Sequence, residues 1–157
     1  MSKSISAAIY DTHGNPAEVL RIENRPWPRP APDEVVVAMR AAPINPADLN
    51  QIEGKYPVRA ELPATPGFEG AGVVVELGGH VENISTGAHV ILPPNFGTWR
   101  EAGAVKAAAL TVVPNELHFA QAGKSKFNHL TTWTAPHGYV PLRTGGWVIK
   151  DDAGHGG

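Results

Sequence analysis

Tyr56 is the side chain in this sequence best placed to do chemistry. It stands between Gly54 and Pro57, just past a short helix that Asn45-Pro46-Ala47-Asp48 should start. A phenol, with an ordinary pKa of about 10, is a proton donor rather than a base near neutral pH. Taken alone, a loop tyrosine reads first as a packing residue. Gly67, Gly70 and Gly72 invite a phosphate-loop reading. A dinucleotide fingerprint, however, follows a strand and opens a helix, and these glycines precede a strand. Close backbone packing at a barrel corner suits them better. Glu69, set among them, is open to three roles: ligand, base or structural hydrogen-bond acceptor. The structural role is preferred. Ala153-Gly154-His155-Gly156-Gly157 does follow an apolar segment, Trp147-Val148-Ile149-Lys150. Its amides could face a pyrophosphate if a helix came next; the alternative is a simple Gly-rich tail.

Metal chemistry finds little support. The histidines at 13, 80, 89, 118, 129, 137 and 155 include no pair spaced to meet on one helix face or hairpin. There is no cysteine, which removes disulfides, thiolate zinc sites and cysteine nucleophiles together. No metal site is expected. Neither a Ser-His-Asp arrangement nor a G-x-S-x-G elbow is present.

The elements that must carry Tyr56 come from a chain of 157 residues, 42% hydrophobic and 18% charged, with net charge −2. That suits one globular domain with a real core and a small appendage. No apolar run approaches the roughly 20 residues of a membrane-spanning helix, and scattered Lys and Arg give no footprint for nucleic acid or acidic membranes. The absence of cysteine fits a reducing compartment. Met1-Ser2-Lys3-Ser4-Ile5 reads as neither secretory signal nor transit peptide, so a cytoplasmic location is expected. The 17 Gly and 15 Pro disfavour long helices and favour short strands joined by turns.

Strands are expected at residues 4–10, 20–23, 34–42, 71–77, 88–92 and 105–113. Val35, Val36 and Val37 predict a strand covered on both faces. Arg25 to Pro32 carries alternate prolines and reads as an extended linker, with a PPII ligand as the lesser alternative. In the helix after it, Asn45 caps, Pro46 takes the first position and Asp48 sits in the first turn. Strands at this spacing indicate an all-β barrel or sandwich up to about residue 115. Residues 116–139 suit a helix interrupted by Gly123, Pro136 and Gly138, and the chain then ends in mid-motif.

The wording from Ile44-Asn45-Pro46-Ala47-Asp48 through Gly54-Lys55-Tyr56 to Pro66-Gly67-Phe68-Glu69-Gly70-Ala71-Gly72 resembles the medium-chain dehydrogenase/reductase superfamily. Gly97-Thr98-Trp99-Arg100-Glu101 and Val113-Pro114-Asn115 extend the likeness. Within the superfamily it is most similar to the enoyl-thioester reductases, with quinone oxidoreductases second. Phe68 stands where zinc-dependent members keep a histidine, so the resemblance implies the zinc-free branch. It implies a mainly β, GroES-like, partly open barrel over residues 1–118. Residues 119–157 would then be a helix and the first strand of a truncated nucleotide-binding domain.

The resemblance also implies roles. NADPH gives hydride to the β-carbon of a 2-enoyl thioester, and Tyr56 protonates the α-carbon. Asn128 and Thr131 lie by the nicotinamide, with Gly154 and Gly156 at the pyrophosphate. Here the sequence departs from the pattern: His129 replaces a proline, Pro136 and Gly138 replace helix formers, and Asp151-Asp152 would repel a phosphate. With most of the cofactor site missing, the 157 residues alone are expected to be inactive. Expected partners are an enoyl thioester or quinone-like small molecule, and a second copy paired through the orphan strand at 147–150. The alternative to a reductase is a non-catalytic barrel serving as a binding or assembly module.

Overall fold

The run Val35-Val36-Val37 builds the centre of the molecule. In the computed structural model, which describes residues 3–124, all three are fully buried on strand β3 (Glu34–Ala41). Successive strand residues point to opposite faces, so three buried in a row require cover on both sides. Val35 and Val37 pack with Val74, Val90, Leu92 and Val105. Val36 faces the other way, against Ile5 and Ala102, with Trp27 alongside. The two-sided strand expected from sequence is what forms.

β1 (Ser4–Ile9) and β2 (Arg21–Pro26) form an antiparallel pair. β3, β4 (Ala71–Leu77), β5 (His89–Ile91), β6 (Ala102–Lys106) and β7 (Thr111–Val113) form a second sheet. Its order is β6-β3-β4-β5-β7, antiparallel throughout. Among the described residues the fold is mainly β with open sheets and short helices, as expected for residues up to 118; no barrel closes.

Several boundaries differ from the sequence reading. Residues 105–113 are not one strand. β6 pairs with β3 at one edge of the sheet and β7 with β5 at the other. The chain must therefore cross between edges, and it turns through a single 3-10 turn, Ala107–Ala109. Residues 88–92 keep only His89–Ile91 as strand. β2 runs on into the proline segment as far as Pro26, which pairs with Ser4 at the strand's end, where a missing donor is tolerated. The turn chemistry at 11–16 holds a helical turn, α1 (Pro16–Val19), whose cap Asn15 accepts from the Ala17 amide. Beyond α2 (Pro46–Ile52), the last described element is α3 (Phe119–Ala122), with Gly123 as its C-cap. The rest of the helix expected to residue 139, and the strand at 147–150 with its proposed pairing, lie outside the described residues.

Candidate functional site

The chain buries four polar residues among those described: Asp48, Gln51, Glu69 and Thr98. All four belong to one network around α2. Asn45 caps the helix and Pro46 takes its first position. The Asp48 carboxylate accepts from the Asn45 amide at 2.7 Å and from the Phe68 amide at 2.8 Å. The Asn45 side-chain amide donates to Glu69 Oε2 at 3.1 Å. The Glu69 carbonyl accepts from the Thr98 hydroxyl at 2.6 Å. One turn along, Gln51 Nε2 donates to Asn95 Oδ1 at 3.1 Å. Buried polar groups are costly unless bonded, so the network pins α2 onto segments 66–70 and 95–98.

Gly67 makes that contact close enough. Its φ of +115° suits glycine. A Cβ there would lie 2.6 Å from the Thr98 amide nitrogen, 2.8 Å from Trp99 Cδ1, and hard against Thr98 Oγ1. Close packing, expected for the 67–72 glycines, is what they provide. Glu69 takes the structural role, in a hydrogen bond with Asn45.

Tyr56 follows from the end of this helix. Gly54, at φ +75°, turns the chain, and the amides of Lys55 and Tyr56 both donate to the Asn50 carbonyl, at 2.8 and 3.1 Å. The Tyr56 ring packs on the Phe68 ring, with centroids 5.0 Å apart and planes tilted by 57°. Phe68 is buried, 6% exposed, and its amide is the one Asp48 holds. The phenol is half-buried, and no described residue hydrogen-bonds its hydroxyl. It is thus neither sealed inside nor loose. A cleft of about 620 Å³, lined by residues 38–42, Ile44 and residues 98–101, does not include Tyr56.

Asn128, Thr131, Gly154 and Gly156 lie outside the described residues. What sequence reasoning missed is the second bond of Asp48, the Gln51–Asn95 pair and the part played by Thr98. The capping half of Asp48 was visible as local spacing; its bond to Phe68 spans 20 residues and had no local signal.

Burial raises the Asp48 carboxyl above its ordinary value, opposed by the two backbone amides and aided by the nearby Glu69 charge. The folded chain therefore holds this proton more tightly than the unfolded chain. The stability it contributes is complete below the unfolded carboxyl pKa of about 3.9 and is lost as pH rises through the raised folded value. Stability relative to an Asp48→Asn variant should therefore be greater at pH 4 than at pH 7, read from urea midpoints of both chains. A difference that grows with pH would contradict the burial argument.

Among the described residues, no group of three or more His, Asp or Glu is arranged to hold a metal, and no helix is long and apolar enough to cross a membrane. A family model, the alcohol dehydrogenase GroES-like domain, matches residues 31–115. The chain belongs to that family. The matched span of this GroES-like chain takes in α2, Tyr56 and every member of the buried network. Over 149 residues the chain is 37% identical to the mitochondrial enoyl-[acyl-carrier-protein] reductase of Xenopus tropicalis, covering 94% of this chain and 43% of that protein. Among solved structures it is similar to an Etr1p/NADP/crotonyl-CoA complex, with TM-score 0.83 and 30% identity over 90% of this chain and 45% of that one. It is also similar to the mitochondrial 2-enoyl thioester reductase Etr1p/Etr2p heterodimer from Candida tropicalis, with TM-score 0.82 and 31% identity, again over 90% and 45%. The chain spans less than half the length of these relatives.

Proposed function

We propose that this chain is the substrate-side part of a zinc-free, NADPH-dependent reductase of 2-enoyl thioesters, with Tyr56 as the proton donor. The observation that carries the reading is a phenol held by its backbone and by Phe68, its hydroxyl without a partner among the described residues. The likeness to proteins named as enoyl reductases supports the substrate class. An apolar ring, Phe68, beside the phenol and the lack of cysteine favour chemistry without zinc.

Bound NADPH would supply hydride to the β-carbon of the substrate. The chain's own part is to hold the Tyr56 hydroxyl where the α-carbon takes up a proton. A positioned phenol can give up its proton as enolate charge develops. The rigid carrier matters, because a donor displaced by even 1 Å loses much of its effect. Asp48, Asn45 and Glu69 act at one remove, by fixing α2 and Phe68 beneath the phenol.

Residues 1–118 form the substrate domain in this reading, and residues 119–157 begin the nucleotide-binding domain with Asn128, Thr131, Gly154 and Gly156 on its cofactor side. The names of the relatives place those proteins in mitochondria and lend no support to the cytoplasmic expectation. The 157-residue chain alone should oxidise no NADPH with trans-2-hexenoyl-CoA. A chimaera carrying residues 1–124 in place of the matching part of the Xenopus tropicalis reductase should do so. Turnover by these 157 residues alone would refute the proposal that they supply only the substrate side. A folded, NADPH-binding chimaera inactive on enoyl thioesters but active on quinones would move the assignment to quinone reduction.

A further inference from the structure

Arg100 is a cation held in place with no carboxylate among its partners in the described residues. Its Nε donates to the Gly97 carbonyl at 2.5 Å and its Nη2 to the Phe96 carbonyl at 2.7 Å. The guanidinium carbon sits 4.8 Å from the centre of the Phe96 ring. Gly97 makes room for it, since a Cβ there would lie 2.5 Å from Nη2, while Gly103 makes room for the Phe96 ring, 2.7 Å from where its Cβ would be. Among the described residues, these two carbonyls take two of the five guanidinium protons. Burial lowers the pKa of this group, yet a guanidinium keeps its charge at neutral pH.

Arg100 lines a groove of about 490 Å³ between β1 and β6, within the range of small-molecule sites. β1 sets its chemistry. Ile5, Ala7 and Ile9 alternate inward and line the groove, with Ala102 and Ala104 opposite. Arg25 pairs with Ile5 across one edge of β1, and Arg100 bridges Ala7 across the other. Directly paired residues share a face, so both arginines stand on the groove side, about 12 Å apart at Cα by strand spacing. Arg25 Nε lies 3.0 Å from Glu23 Oε1, yet this buried nitrogen makes no hydrogen bond.

We propose that this groove binds a small monocarboxylate with a short apolar tail, its carboxylate on Arg100 and its tail along Ile5, Ala7 and Ala104. A guanidinium already fixed by carbonyls loses little freedom on pairing, which favours binding. The proposal does not depend on the reductase reading, since it involves neither Tyr56 nor a nucleotide.

Titration of the 157-residue chain with sodium hexanoate, followed by amide chemical shifts, tests it. Saturable shifts should cluster at Ile5, Ala7, Arg100, Ala102 and Ala104. Butyrate, two methylenes shorter, should bind roughly tenfold more weakly, and hexanol should give no such response. Arg100→Gln keeps a donor for the carbonyls but removes the charge, and should weaken binding at least tenfold. Ala104→Leu fills the groove, leaves both arginines intact, and should abolish binding; it decides the matter if Arg100→Gln does not fold. Shifts scattered over all cationic residues, equal affinity for acetate and hexanoate, or full-strength binding by either folded variant would overturn the site.

Discussion

Tyr56→Phe should lower kcat of the chimaeric reductase by roughly 10²- to 10⁴-fold, the usual contribution of a positioned general acid. The substitution removes one hydroxyl and keeps the ring that packs on Phe68. No described residue hydrogen-bonds that hydroxyl, so folding stability should stay within about 0.5 kcal/mol. KM should change little, because the lost interaction belongs to the transition state. Paired measurements of kcat, KM and thermal midpoint separate this from damage to the fold. An unchanged kcat would place the proton donor elsewhere, with water or another side chain serving the α-carbon.

A large effect on stability is expected at Gly67. Gly67→Ala forces a side chain to adopt φ +115°, a region costing roughly 1–2 kcal/mol for an L-residue. It also drives a methyl group into the Thr98 backbone and the Trp99 ring. Backbone cannot yield as a flexible side chain does, and overpacking of this kind adds about 1–3 kcal/mol. The total, roughly 2–5 kcal/mol, is a large part of a small domain's stability. Two other glycines separate these causes. Gly87 has φ +88° but nothing within 4 Å of a built Cβ, and Gly79 has open space without a positive φ. Urea midpoints should therefore rank Gly79→Ala near neutral, Gly87→Ala intermediate and Gly67→Ala lowest. Equal losses at Gly67 and Gly87 would show that backbone conformation alone sets the cost.

These two residues are linked through segment 66–70. Gly67 lets the segment approach Thr98, Asp48 holds the amide of Phe68, and Phe68 supports the Tyr56 ring. Loosening that segment should therefore affect the phenol without touching it.

Much of this arrangement is legible in the sequence because it is local. The three valines of β3 announce a strand covered on both faces, since alternation leaves no other way to bury neighbours. Asn45, Pro46 and Asp48 mark a helix start through chemistry contained in four residues. Gly54 and Pro57 mark where it must stop, and so where Tyr56 falls. Long-range pairing was hidden. Nothing in residues 102–113 shows that one half joins β3 and the other β5 at the far edge of the sheet, because hydrogen-bond partners are chosen by the whole topology. The second bond of Asp48, the Gln51–Asn95 pair and the pairing of Arg100 with Ala7 likewise join segments distant in the chain. Residue types and spacing determined which groups could act; only the folded chain decided which were brought together, because burial and contact depend on distances in space that sequence separation does not measure.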